Sequence, residues 1–115
     1  MHVTLLSNDL MTASQIEAAV RSAGGEFSVA TTVAAPTDDD ENSVDVVVLD
    51  LSTTGDVAGT VSRFRELAAP PRIIAFGPHV HTAKLAAAKE AGCDDVLTRG
   101  QFIPNIVQVL QLSQS

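Results

Sequence analysis

The chain has 115 residues, of which 45% are hydrophobic and 18% charged, enough apolar material for one packed core and too much for wholesale disorder. Seven basic residues face 14 acidic ones, a formal net charge of −7, so the basic stripe that nucleic acid or an anionic membrane surface requires is missing. Aromatics amount to 3%, with no Trp or Tyr, and the core must be built from Val, Leu, Ile and Ala.

Cys93 stands alone, which excludes an intrachain disulfide and a cysteine-based zinc site and suits a reducing compartment. The apolar run at residues 3–6 is too short for a signal-peptide core or a membrane span, and a cytoplasmic location is expected. In chain order, HVTLL (residues 2–6) predicts a strand, followed by Ser7, Asn8 and Asp9 as turn and capping residues. Ile16, Ala19, Val20 and Ala23 carry helical spacing over 10–23, and Gly24-Gly25 stops that helix. A second strand is predicted over 26–33. PTDDDENS (residues 36–43) reads as a solvated loop; its run of Asp38, Asp39, Asp40 and Glu41 lacks the ligand spacing of a Ca²⁺ loop. Only about ten residues, 34–43, join the second strand to the third, too few for an ordinary crossover helix, which is expected to be missing or reduced to a turn.

VDVVVL (residues 44–49) is the clearest strand, and its β-branched run implies burial on both faces of a parallel sheet. A helix over 57–69 with Val61, Phe64 and Leu67 inward ends at Pro70-Pro71; RIIAF (residues 72–76) is the fourth strand. An Ala-rich helix over 82–91 stops at Gly92, and residues 94–97 form a short fifth strand that follows a small buried Cys93. The last helix is placed over 101–112 with Pro104 in its first turn, where a missing N–H costs little. Alternating strands and helices of this kind make one domain of α/β class, a doubly wound five-stranded parallel sheet whose crevice lies at the carboxyl ends of the strands. Those ends carry Ser7, Asn8, Asp9, Asp50, Phe76, Gly77 and Arg99.

VTLLSNDL, VDVVVLDLS, PRIIAFG and above all AKEAGCDDVLTRGQF resemble, in that order and over almost the whole chain, the receiver domain of bacterial two-component response regulators. The resemblance implies a flavodoxin-like sheet. It places Asp50 at the phosphoacceptor position. It puts the Mg²⁺-binding acidic pair on Ser7 and Asn8, or on Asn8 and Asp9 after a one-residue slip. The phosphoryl-binding hydroxyl falls on Phe76, the conserved lysine on Arg99 and the proline after it on Gly100. Most of the family's phosphorylation set has therefore changed. Mg²⁺ wants oxygen ligands including one or two carboxylates, and Asp50 with at most Asp9 is a poor cage. Losing one aimed donor typically costs on the order of 10²–10³ in rate. Asp50 is expected instead to cap its loop or to pair with Arg99, whose planar fork replaces a point charge. The Arg99–Gly100 bond is expected to be trans.

The resulting expectation is a non-catalytic pseudo-receiver that acts through protein–protein contact, without cofactor and without phosphorylation. Its partner is a second protein or a second copy, met on the face that receivers use, here Lys84, Ala87, Val96, Phe102 and Ile106. Two alternatives stand beside it: a true phosphoacceptor using Asp50 and Asp9 with Mg²⁺, and a small-ligand sensor using the short second crossover and the PHVH loop. His79 and His81 in that loop have no evident further metal ligands, and His2 belongs at the exposed start of the first strand. Thr53, Thr54 and Gly55 lack the lysine and glycine pattern of a phosphate loop.

Overall fold

The computed structural model describes residues 1–30 and 44–112. Five strands, β1 (His2–Leu6), β2 (Glu26–Ala30), β3 (Val46–Asp50), β4 (Arg72–Gly77) and β5 (Asp95–Thr98), form one parallel sheet in the order β2-β1-β3-β4-β5. The described helices are α1 (Leu10–Ser22), α2 (Val57–Arg65), α3 (Thr82–Ala91), α4 (Arg99–Phe102) and α5 (Ile106–Leu110). This is the expected doubly wound architecture in flavodoxin-like order. The proposed loss of the second crossover helix and the acidic run at 38–41 lie outside the described residues.

The period-two alternation of β3 explains why the fold has two apolar layers. Val46 and Val48 point to one face, where Ile16 and Val20 of α1 and Phe102, Ile106 and Leu110 of the C-terminal helices cover them. Val47 and Leu49 point to the other, against Val61 and Phe64 of α2 and Ala88 of α3. Every residue of β3 is buried, as its β-branched run demanded. Strand β2, at the sheet edge, is far more exposed, with Val29 at 48%.

Several boundaries differ from the sequence pattern for local reasons. Helix α2 ends at Arg65, with Glu66 as its C-cap, short of residue 69; Pro70 disfavours helical geometry only at Ala69. Strand β5 begins one residue later than expected, because the Asp94 carboxylate accepts the Ile73 amide at 2.7 Å and so holds the turn before it. The last helix is not continuous. Thr98 and Gln101 form a capping box that starts α4 at Arg99, two residues earlier than expected, so Pro104 falls beyond the first turn. Without an N–H to continue the ladder, residues 103–105 tighten into a 3₁₀ turn before α5 resumes. Helix α3 ends on Gly92 at φ 95°, a left-handed conformation that explains the glycine. Cys93 is half-buried rather than enclosed, and desolvation raises its thiol pKa.

Ile74→Ala on the fully buried β4 should destabilise the protein by about 2–5 kcal/mol, whereas Leu10→Ala, at a position 84% exposed, should change stability by no more than about 0.5 kcal/mol. Urea unfolding of the two variants checks the contrast.

Candidate functional site

Parallel strands all end on the same side, so the sheet gathers its candidate residues at one edge. Asp50 is the last residue of β3 and is only 3% exposed. A carboxylate so enclosed must be hydrogen-bonded. Its Oδ2 accepts the Ser7 hydroxyl at 2.6 Å and its Oδ1 accepts the Ser52 amide at 3.0 Å. Its carbonyl accepts the Thr53 and Thr54 amides, each at 2.9 Å, which folds the β3–α2 loop back over the strand end. Ser7, 2% exposed, works in both directions: its hydroxyl also accepts the Asp9 amide at 3.0 Å. Asn8 instead faces the β3–α2 loop. Its amide donates to Thr53 Oγ1 at 3.2 Å, and that hydroxyl donates to Asn8 Oδ1 at 3.0 Å.

The Asp9 carboxylate is engaged by α1 and Arg99. It is the N-cap of α1: Oδ1 accepts the Met11 and Thr12 amides at 3.0 and 3.4 Å, and Oδ2 accepts the Thr12 hydroxyl at 2.8 Å. Arg99 donates from Nη2 to the same Oδ2 at 3.2 Å and to the Thr12 hydroxyl. Of the two roles expected for Asp50, the structure shows the loop cap, through the Ser52 amide, and Arg99 pairs with Asp9 instead. The physical reason is solvation. Asp9 and Arg99 side chains stay 41% and 39% exposed when they meet, while reaching Asp50 would strip a guanidinium of water at a carboxylate already satisfied. Thr12, fully buried, is the member that the sequence reading missed. The spacing Asp9-x-x-Thr12, N-cap to third helical residue, was its available signal.

Phe76 occupies the end of β4 with no exposed surface, its ring centroid 5.0 Å from that of Phe102. Both rings belong to the α1 side of the core. Lys84 of α3 reaches the Leu51 carbonyl at 3.4 Å. His79 and His81 are exposed; His81 sits at the N-cap of α3 without a side-chain capping bond, and His2 Nε2 lies 3.0 Å from Ser28 Oγ. The Arg99–Gly100 bond is trans, as no peptide bond among the described residues is cis. Of the five expected contact residues, Lys84 and Ala87 are exposed and Val96 is half-buried. Phe102 and Ile106, 0% and 7% exposed, are corrected to core residues: the early start of α4 turns them onto the sheet.

Among the described residues, no group of three His, Cys, Asp or Glu side chains is arranged to hold a metal ion, and no helix is long and apolar enough to cross a membrane.

No family model matches the chain, and no curated protein matches it in sequence. Solved structures do. HP1043, an orphan response regulator of H. pylori, matches at 19% identity with a TM-score of 0.74, covering 96% of this chain and 93% of its own. The fold is that of a response-regulator receiver. An atypical orphan response regulator, described as having a phosphorylation-independent regulatory mechanism, matches at 19% identity and TM-score 0.68 over 100% of this chain and 99% of its own. The beryllofluoride-activated NtrC4 receiver domain dimer matches at 19% identity and TM-score 0.72, covering 96% of both chains. On this receiver frame, β3 delivers Asp50, β1 delivers Ser7 and Asn8, β4 delivers Phe76 and the end of β5 delivers Arg99.

Ser7→Ala removes the hydroxyl donor from a buried carboxylate and should cost about 1–3 kcal/mol in urea unfolding at neutral pH. A second expectation concerns acid. The Thr12 hydroxyl and amide, then the Met11 amide and the Arg99 guanidinium, hold the Asp9 carboxyl below the usual carboxylate range. The unfolded chain binds that proton more readily, so the stabilisation is complete above about pH 4 and is lost as pH falls through the lower folded value. Wild type should therefore lose more stability below about pH 4 than Asp9→Asn, measured by denaturation across the pH series.

Proposed function

We propose that this chain is a cytoplasmic pseudo-receiver: a non-catalytic regulatory domain that signals by protein–protein contact and does not use phosphorylation of Asp50. The observation that carries this reading is the Ser7 hydroxyl donated to Asp50 at 2.6 Å, with Ser52 on the other oxygen. Both phosphate-accepting atoms are occupied by internal donors, and the residue is buried.

The donor set does not fit a Mg²⁺ ion. Mg²⁺ demands near-octahedral oxygen ligation at roughly 2.0–2.1 Å, with carboxylates supplying the charge. Here the β1 end offers a hydroxyl committed as a donor and an amide committed to Thr53, while the Asp9 carboxylate caps α1 and binds Arg99. Phosphoryl transfer is mainly positioning and charge stabilisation. Phe76 brings no hydroxyl to the end of β4, and Arg99 is held by Asp9 and Thr12. The phosphorylation-independent description of one structural neighbour agrees with this reading. For output, the exposed Lys84 and Ala87 of α3, with Val96 beside them, are the proposed contact residues, and the NtrC4 receiver dimer provides a precedent for a second copy as partner.

Amide NMR during titration with Mg²⁺ and beryllofluoride tests the proposal. No saturable shifts are expected from Asp50 to Thr54 or at Ser7 in wild type. The double variant Ser7→Asp/Asn8→Asp, which restores an acidic pair, should gain Mg²⁺-dependent shifts and a Mg²⁺-dependent rise in Tm. Saturable shifts around Asp50 in wild type overturn the reading in favour of a genuine phosphoacceptor.

A further inference from the structure

A crevice of about 550 Å³ opens at Arg99, and neither Asp50 nor its partners Ser7 and Ser52 line it. Four separate segments converge on it. Met11 and Gln15 come from the first turns of α1, His79 from the β4–α3 loop, Arg99 from the start of α4, and Ile103 and Pro104 from the 3₁₀ turn. Its size falls within the roughly 300–1,000 Å³ of small-molecule sites. The break at Pro104 helps to shape it, because the tightened turn brings Ile103 and Pro104 to its wall.

Its chemistry is unusual for this chain. The protein carries 14 acidic residues against 7 basic ones, yet no acidic side chain lines the crevice. The polar groups that do are one guanidinium, one imidazole and one amide, set among Met11, Ile103 and two prolines. Apolar walls with a few convergent polar groups are the usual make-up of a ligand site. Arg99 is also preorganised. Its two hydrogen bonds, to Asp9 and to Thr12, both leave from Nη2, which fixes the plane of the fork with its other N–H donors not consumed by those bonds.

We propose that this crevice binds a small organic monocarboxylate with an apolar body, the carboxylate held by Arg99 and the body laid against Met11, Ile103 and Pro104. A planar guanidinium matches a carboxylate in geometry, and the apolar walls match the rest of such a ligand. A single negative charge is favoured over a dianion such as phosphate, because Asp9, 3.2 Å from the guanidinium, already offsets much of the positive charge. The inference goes beyond the pseudo-receiver reading, since the crevice lining does not include Asp50.

Amide NMR titration with phenylacetate and octanoate, against the uncharged phenylacetamide, tests it on the whole chain. Saturable shifts at Met11, His79 and residues 99–103 are expected for the acids, with at least tenfold weaker binding of the amide. Arg99→Gln should weaken binding of the acids at least tenfold. Arg99 also ties Asp9 and Thr12, so a second variant is needed that keeps the fold. Met11→Glu serves, since Met11 is 71% exposed in the first turn of α1, where a negative charge favours the helix. It should retain Tm and likewise weaken the acids at least tenfold. Non-saturating shifts, equal binding of acid and amide, or undiminished binding in Met11→Glu overturn the proposal. None of these outcomes touches the beryllofluoride result at Asp50, so the two readings fail separately.

Discussion

A strand buried on both faces ends in a carboxylate, and that carboxylate has to be satisfied from within the protein. This constraint organises the whole strand-end region. Asp50 cannot reach bulk water, so its oxygens take the Ser7 hydroxyl and the Ser52 amide. Ser7 in turn accepts the Asp9 amide, and Asp9 caps α1 while drawing Arg99 across from the end of β5. One chain of hydrogen bonds thus links the ends of β1, β3 and β5, and buried networks of this kind are most stable when every member is paired. With Ser7 and Asn8 at the β1 end, no carboxylate from that strand end repels Asp50, and the Ser7 hydroxyl keeps it paired.

The sheet was legible because its signals are local and strong. Within the VDVVVL run, Val46 to Leu49 form a strand enclosed on both faces while Val44 and Asp45 lie outside it, and the Gly92 stop marked the end of α3. The C-terminal helix was less legible. Pro104 is compatible with a first turn, and only the reciprocal Thr98–Gln101 cap decides that the helix has already started. That early start also decides which residues face inward, which is why Phe102 and Ile106 belong to the core and not to a contact surface.

The candidate site was legible as a set of positions but not as a set of pairs. Strand order brings Asp9, Asp50 and Arg99 to one edge, and the sequence alone offers Arg99 two carboxylates. Solvation chooses between them: the half-exposed Asp9 accepts the guanidinium, and the enclosed Asp50 is left to short neutral donors. Thr12 escaped the reading because threonine in the first turn of a helix is ordinary; its role comes from burial between Asp9 and Arg99.

The Phe76–Phe102 contact has a further consequence. The two rings pack together at zero exposure and wall off the β4 end, where Phe76 brings no polar group. Under the pseudo-receiver reading proposed above, a module built this way would convey its presence rather than an altered state. Its influence would then scale with copy number and local concentration, so control would rest on how much of it is made and where it is tethered.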